Sequence, residues 1–153
     1  MQIHFKLNGE PVEVEAGADE MLLEVLRRDL GLRSVRATCG VGICGACTAL
    51  VNGEAISTCI FLAPHAEGCE ITTVEGLGGD HLVQQAFEEE HAFQCGYCTP
   101  GMILTTKAFL EENSHPSDEE IKVALGGNLC RCGCYVKIIK AVKRAAAYSG
   151  GNL

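Results

Sequence analysis

The chain of 153 residues sets 20 Asp and Glu against 12 Lys and Arg, a formal net charge of −8 with its five His neutral. That balance excludes nucleic-acid binding, which needs a basic footprint, and no uncharged apolar run reaches the ~20 residues of a membrane helix. A chain of this length buries roughly two-thirds of its unfolded surface without disulfide staples, so its ten bunched cysteines, below the ~8–10% of a secreted disulfide scaffold, need another explanation.

The start, MQIHFKLNGEPVEVEAG, has no basic region followed by an apolar stretch, so no secretory signal is read there. A cytoplasmic, reducing setting is the expectation, in which clustered cysteines bind metal more often than they pair. Ile3, Phe5 and Leu7 alternate with His4 and Lys6 as in a half-buried strand. Asn8-Gly9 predicts a type I′ turn into a second strand near Val12 and Val14. From Glu20 the period changes: Leu22, Val25, Leu26 and Leu30 predict a helix, which Gly31 can stop. Arg27, Arg28, Arg33 and Arg36 form a small basic group, read as a solvated face or a subunit contact. Further on, Thr48–Val51 and Ala55–Thr58 flank a second turn at Asn52-Gly53, and Ile71–Val74 is a last short strand. Two hairpins around one helix predict a small α+β grasp fold.

Gly76-Leu77-Gly78-Gly79 is the expected linker, dividing the chain into residues 1–77 and 78–153. Beyond it the signals are helical, starting with a helix around Leu82–Glu90. Thr99 and Pro100 read as N-cap and first helical residue, with Met102, Ile103, Thr106, Phe109 and Leu110 as the buried side. Ser117 and Glu120 form a capping box before Ile121, Ala124 and Leu125, with Gly126 as stop. Val136, Ile138, Ile139, Val142 and Ala146 outline a terminal helix whose other face holds Lys137, Lys140, Lys143 and Arg144. The second half is thus predicted to be a four-helix domain.

Cys39, Cys44, Cys47 and Cys59 read C-x4-C-x2-C-x11-C. The first three match the plant-type ferredoxin spacing for a 2Fe-2S cluster, whose fourth cysteine comes later in the chain. Gly40, Gly42 and Gly45 suit a loop that must turn its N–H groups toward sulfur. The same stretch satisfies G-x-G-x-x-G, but that fingerprint must follow a strand and open a helix, and here it sits among cysteines before a hairpin. The second constellation is Cys95-Gly96-Tyr97-Cys98 and, after 31 intervening residues, Cys130-Arg131-Cys132. Zinc ribbons return C-x2-C rather than C-x-C, and a Rieske centre needs two histidines. His4, His65, His81, His91 and His115 have no ligand spacing and read as surface or packing residues. Cys69 belongs to neither motif. Cys130, Cys132 and Cys134 run C-x-C-x-C, and spacing leaves open which two are ligands.

Together CGVGICGACTALVNGEAISTC, QCGYCTPGMIL and GNLCRC…YVKII resemble the small iron–sulfur subunit of the molybdenum hydroxylases, the xanthine dehydrogenase and carbon monoxide dehydrogenase family. The resemblance spans nearly the whole chain. It implies a ferredoxin-like β-grasp domain with one 2Fe-2S cluster on Cys39, Cys44, Cys47 and Cys59. A C-terminal four-helix bundle follows, holding the other through Cys95, Cys98, Cys130 and Cys132. It further implies that Gln94 and the Cys132 end approach molybdopterin on a large partner subunit. Electrons then pass through both clusters to FAD on a medium subunit, in a dimer of heterotrimers. This chain does no substrate chemistry of its own. The family's Thr-Gly after the last ligand is replaced by Gly133-Cys134. A free-standing ferredoxin-type carrier and a zinc-binding interaction module are the competing readings. The substrate, among purines, heteroaromatics, aldehydes, carbon monoxide and aryl-CoA thioesters, is chosen by the large subunit.

Overall fold

The computed structural model describes residues 1–149. Ile3, Phe5 and Leu7 point inward from β1 (Gln2–Leu7), which turns through Asn8 and Gly9 into antiparallel β2 (Glu10–Glu15). Asn52 and Gly53 join β3 (Thr48–Val51) to β4 (Glu54–Ser57) in the same way. All four turn residues have positive φ, as a type I′ turn demands. β5 (Glu70–Thr72) inserts between the hairpins, parallel to β1 and antiparallel to β3, in the order β2-β1-β5-β3-β4.

The helix expected after Glu20 is real but not uniform. It begins as α1 (Leu22–Glu24) and widens into a π-helical turn over Val25–Asp29, with Leu30 N–H donating to Val25 O at 3.2 Å. Leu22, Leu23, Val25 and Leu26 are all buried, as positions i, i+1, i+3 and i+4 of one helical face. Strand ends also shift. β4 stops at Ser57, because Thr58 turns its hydroxyl in to Cys47 O at 2.8 Å and opens a 3-10 turn. β5 stops at Thr72, where Thr73 N–H and the Asn8 side chain bond at 2.8 Å. Val74–Leu77 then forms a 3-10 turn across the start of the expected linker.

The second half packs α2 (Leu82–Glu89), α3 (Thr99–Glu112), α4 (Asp118–Ala124) and α5 (Tyr135–Ser149) around a separate core containing Phe87, Met102, Ile121 and Ile138. The Ser117–Glu120 capping box forms as expected, and His81 with Gln84 makes another on α2. Thr99 is the first helical residue rather than the cap; Cys98 takes the cap position without a side-chain bond, and Thr99 Oγ1 is buried without a partner. Val136 is also not on the buried face, being 69% exposed. Ile138, Ala141, Val142, Ala145 and Ala146 form that face, their small side chains admitting α2. Gly101 to Thr106 of α3 are buried all round, because α3 lies against β3 as well as α2. No described helix is long and apolar enough to cross a membrane.

The halves meet at backbone level. Asn128 Nδ2 donates to Gly45 O at 3.2 Å, and Leu129 N–H to Cys44 O at 2.9 Å. A Cβ on Gly101 would collide with the Gly45 carbonyl, and one on Gly45 with the Gly127 carbonyl. Helix propensity alone favours Ala over Gly by ~1 kcal/mol, but this collision reverses the sign. Gly101→Ala is expected to lose about 1–3 kcal/mol of stability, read as a lower urea midpoint. Gly127→Ala, whose Cβ meets nothing within 4 Å, should change it little.

Candidate metal centres

The first cysteine set is built on the loop from residue 36 to β3. Gly40, Gly42 and Gly45 take φ of +69°, +74° and +68°, a region open to glycine at no steric cost. This winding turns Val41 and Ile43 N–H toward Cys39 Sγ at 3.5 and 3.4 Å, and Gly42 N–H toward Cys59 Sγ at 3.3 Å. Cys47 sits just before β3 and Cys59 in the turn after β4, both buried. Within the set the thiols stand in couples, Cys39 with Cys44 and Cys47 with Cys59.

Their protonation differs by environment. Backbone N–H groups of Val41, Cys44 and Ile43 stabilise the Cys39 thiolate and bring its pKa down to about 6. Burial, reinforced by Cys47, pushes Cys59 up to about 11.

The second set joins the turn before α3 to the loop before α5. Cys95 couples with Cys132, and Cys98 with Cys130. Tyr97 N–H points at Cys95 Sγ and Cys134 N–H at Cys130 Sγ, each at 3.5 Å. The Tyr97 N–H lowers the Cys95 thiol. Burial followed by the Cys130 contact raises Cys98 to about 12. Among the described residues no three His, Cys, Asp or Glu side chains converge as the ligands of a single ion would. Four gathered thiols per set would hold a two-iron cluster, and the N–H groups aimed at sulfur suit its negative charge.

The remaining cysteines lie differently. Cys134 is 5% exposed and belongs to the helical core, although its thiol touches Cys130. Cys69 bonds to His65 O and Asn52 Nδ2, away from both sets. One surface concavity, about 650 Å³, is lined by Lys6, Val12, Asn52 and Cys69 and includes none of the eight candidate cysteines. A second cleft, about 400 Å³, lies between the sets and is lined by Cys44, Cys95, Cys98, Cys130, Tyr97 and Leu129. Gln94 is exposed beside exposed Cys95. Val41, Ile43 and Ile60 expose apolar surface around the first set, and Phe93, Leu129, Tyr135 and Val136 around the second.

Sequence reasoning did not find Asn128 or the reach of Tyr97. The Tyr97 hydroxyl donates to Ala37 O at 3.3 Å and accepts from Thr38 Oγ1 at 3.2 Å. Its place inside C-x2-C marked it as a neighbour of sulfur, but no local pattern reveals a contact 60 residues away. The basic group also resolves: Arg28 pairs with Glu20 and Asp29, Arg27 donates to Val35 O, and Arg36 lies over the Tyr97 ring.

Two family models match the chain. A family model described as a 2Fe-2S iron-sulfur cluster binding domain matches residues 5–71, and one described as a 2Fe-2S binding domain matches residues 73–143. One of the nicotinate dehydrogenase subunits of Pseudomonas putida is 51% identical over 147 residues, 94% of each chain. The nicotinate dehydrogenase small FeS subunit of Eubacterium barkeri is 51% identical over 146 residues, 94% of this chain and 93% of that one. A crystal structure of quinoline 2-oxidoreductase from Pseudomonas putida 86 superposes with a TM-score of 0.93 at 39% identity, covering 99% of this chain and 97% of that one.

In the metal-free chain, iodoacetamide at pH 7 should label Cys39 well ahead of Cys59 and Cys98. The lowered thiol is already thiolate above about 6, while the raised ones stay protonated until about 11 and 12. Mass mapping at several pH values checks the order.

Proposed function

Since the chain belongs to the small iron–sulfur subunits of the molybdenum hydroxylases and carries two 2Fe-2S clusters, we propose that it takes single electrons from a molybdopterin centre on a large partner and hands them to FAD on a medium one. We assign Cys39, Cys44, Cys47 and Cys59 as ligands of one cluster and Cys95, Cys98, Cys130 and Cys132 as ligands of the other. When bound, each cluster supplies a site that accepts one electron at a time, which splits a two-electron substrate oxidation.

The observation that carries this reading is one cleft lined by Cys44 of the first set and by Cys95, Cys98 and Cys130 of the second, bridged by the Leu129 N–H to Cys44 O bond of 2.9 Å. The protein's own part is to fix the thiols, aim N–H groups at them, and hold the two sets at constant separation. Exposed Gln94 and the Cys132 end are assigned to the molybdopterin side. The apolar rim of Val41, Ile43 and Ile60 is assigned to the flavin side. A cytoplasmic dimer of heterotrimers, with the domain division near residue 77, completes the proposal. Relatives named for nicotinate and quinoline make nitrogen heteroaromatics the substrate class to assay first on the purified complex.

The full chain should contain about four irons and about four acid-labile sulfides, two of each per cluster, with two reduced-state EPR signals. Stoichiometric zinc without sulfide would overturn the proposal. Cys47→Ser should remove one signal and about half the iron, while Cys69→Ser keeps both. Cys134→Gly should keep the iron and both signals; loss of the second signal with the fold intact would make Cys134 a ligand.

A further inference from the structure

Arg36 is a cation with an unusual seat. Its guanidinium carbon stands 5.1 Å from the Tyr97 ring centroid, and its Nε is buried without a hydrogen-bond partner. Arg28 and Arg144 each have two carboxylate partners, but among the described residues no ion pair includes Arg36. Its backbone N–H is fixed to Ala46 O at 3.0 Å, beside Cys47, and Cys39 is three residues on. Tyr97, which seats it, bonds Cys95 Sγ through its own N–H and Ala37 and Thr38 through its hydroxyl. The side chain is therefore tied to the first cysteine loop by its backbone and to the second set through Tyr97, whose ring lines the cleft between them.

We propose that Arg36 is a fixed counter-charge to both cysteine sets and that Tyr97, which lines the cleft, is the positioning residue that seats its guanidinium, so that together they hold up the reduction potentials of both clusters. The inference rests on the two-cluster reading above. Each one-electron reduction adds a unit of negative charge inside the cleft walls. A partly desolvated cation at fixed position stabilises that added charge more than a mobile, hydrated one can. Arg131 lines the cleft itself but is exposed, so water screens it.

The test is a dithionite titration of the cluster-loaded full chain, following the two EPR signals, with iron measured in each variant. Arg36→Gln should lower both midpoints, by about tenfold in the reduction equilibrium, ~59 mV for a one-electron couple. Arg36→Lys should restore most of the shift, and Arg131→Gln should move the midpoints less. Tyr97→Leu should shift them in the same direction by releasing the guanidinium, and adding Arg36→Gln to it should cause little further change. Unchanged midpoints in Arg36→Gln with full iron overturn the inference and leave the two-cluster reading standing. If Arg36→Gln loses iron, Tyr97→Leu decides: unchanged midpoints there overturn it equally. Absence of both EPR signals in the unmodified chain would instead defeat the two-cluster reading itself.

Discussion

The carbonyl oxygen of Gly45 is where the two halves of this molecule become one. It accepts from Thr48 N–H at 3.2 Å, from Thr48 Oγ1 at 2.7 Å and from Asn128 Nδ2 at 3.2 Å, and α3 comes against it at Gly101. Any side chain at Gly45 or Gly101 would wedge this contact apart. Because Gly45 lies between Cys44 and Cys47, the residue that joins the halves also belongs to the first cysteine loop. The geometry of that loop and the geometry of the interface are therefore one constraint. Asn128 repeats the arrangement from the other side, buried two residues before Cys130.

In each cysteine set backbone N–H groups lower one thiol and burial raises another, Cys39 against Cys59 and Cys95 against Cys98. With these thiols as the proposed ligands, iron uptake would displace the proton from the buried member, linking metal uptake to proton release. The buried thiol also lies beside apolar packing, Cys59 in the first core and Cys98 against the second. Cluster binding and core formation are accordingly coupled at those two positions.

Much of this was legible in the residues. Asn8-Gly9 and Asn52-Gly53 specify their turns through a local backbone requirement, and Ser117 with Glu120 specifies a helix start. The cysteine spacings carried the two sets because a small cluster can be wrapped only by certain loop lengths. What failed depended on tertiary context. Val136 fits the apolar stripe of α5, but no element covers it. The π-turn at Val25–Asp29 leaves no mark in the apolar spacing, because Leu22, Val25 and Leu26 fit an ordinary helical face equally well. Tyr97 and Arg36 meet only because the interface exists, so neither side chain's role could be read from its neighbours in sequence.

The position of β5 has a consequence for the order of events during synthesis. It is the central strand of the sheet, yet it is the last to leave the ribosome, after all four cysteines of the first set. Folding of nascent chains runs from the N-terminus as units are completed, and this unit is not complete until Thr72 is available. The cleft wall closes later still, when Asn128 and Leu129 reach Gly45 and Cys44. A nascent chain thus passes through a stage in which the first set is fully synthesised but one side of its loop faces water. Cluster delivery during that interval meets an open loop, and delivery afterwards meets a walled one.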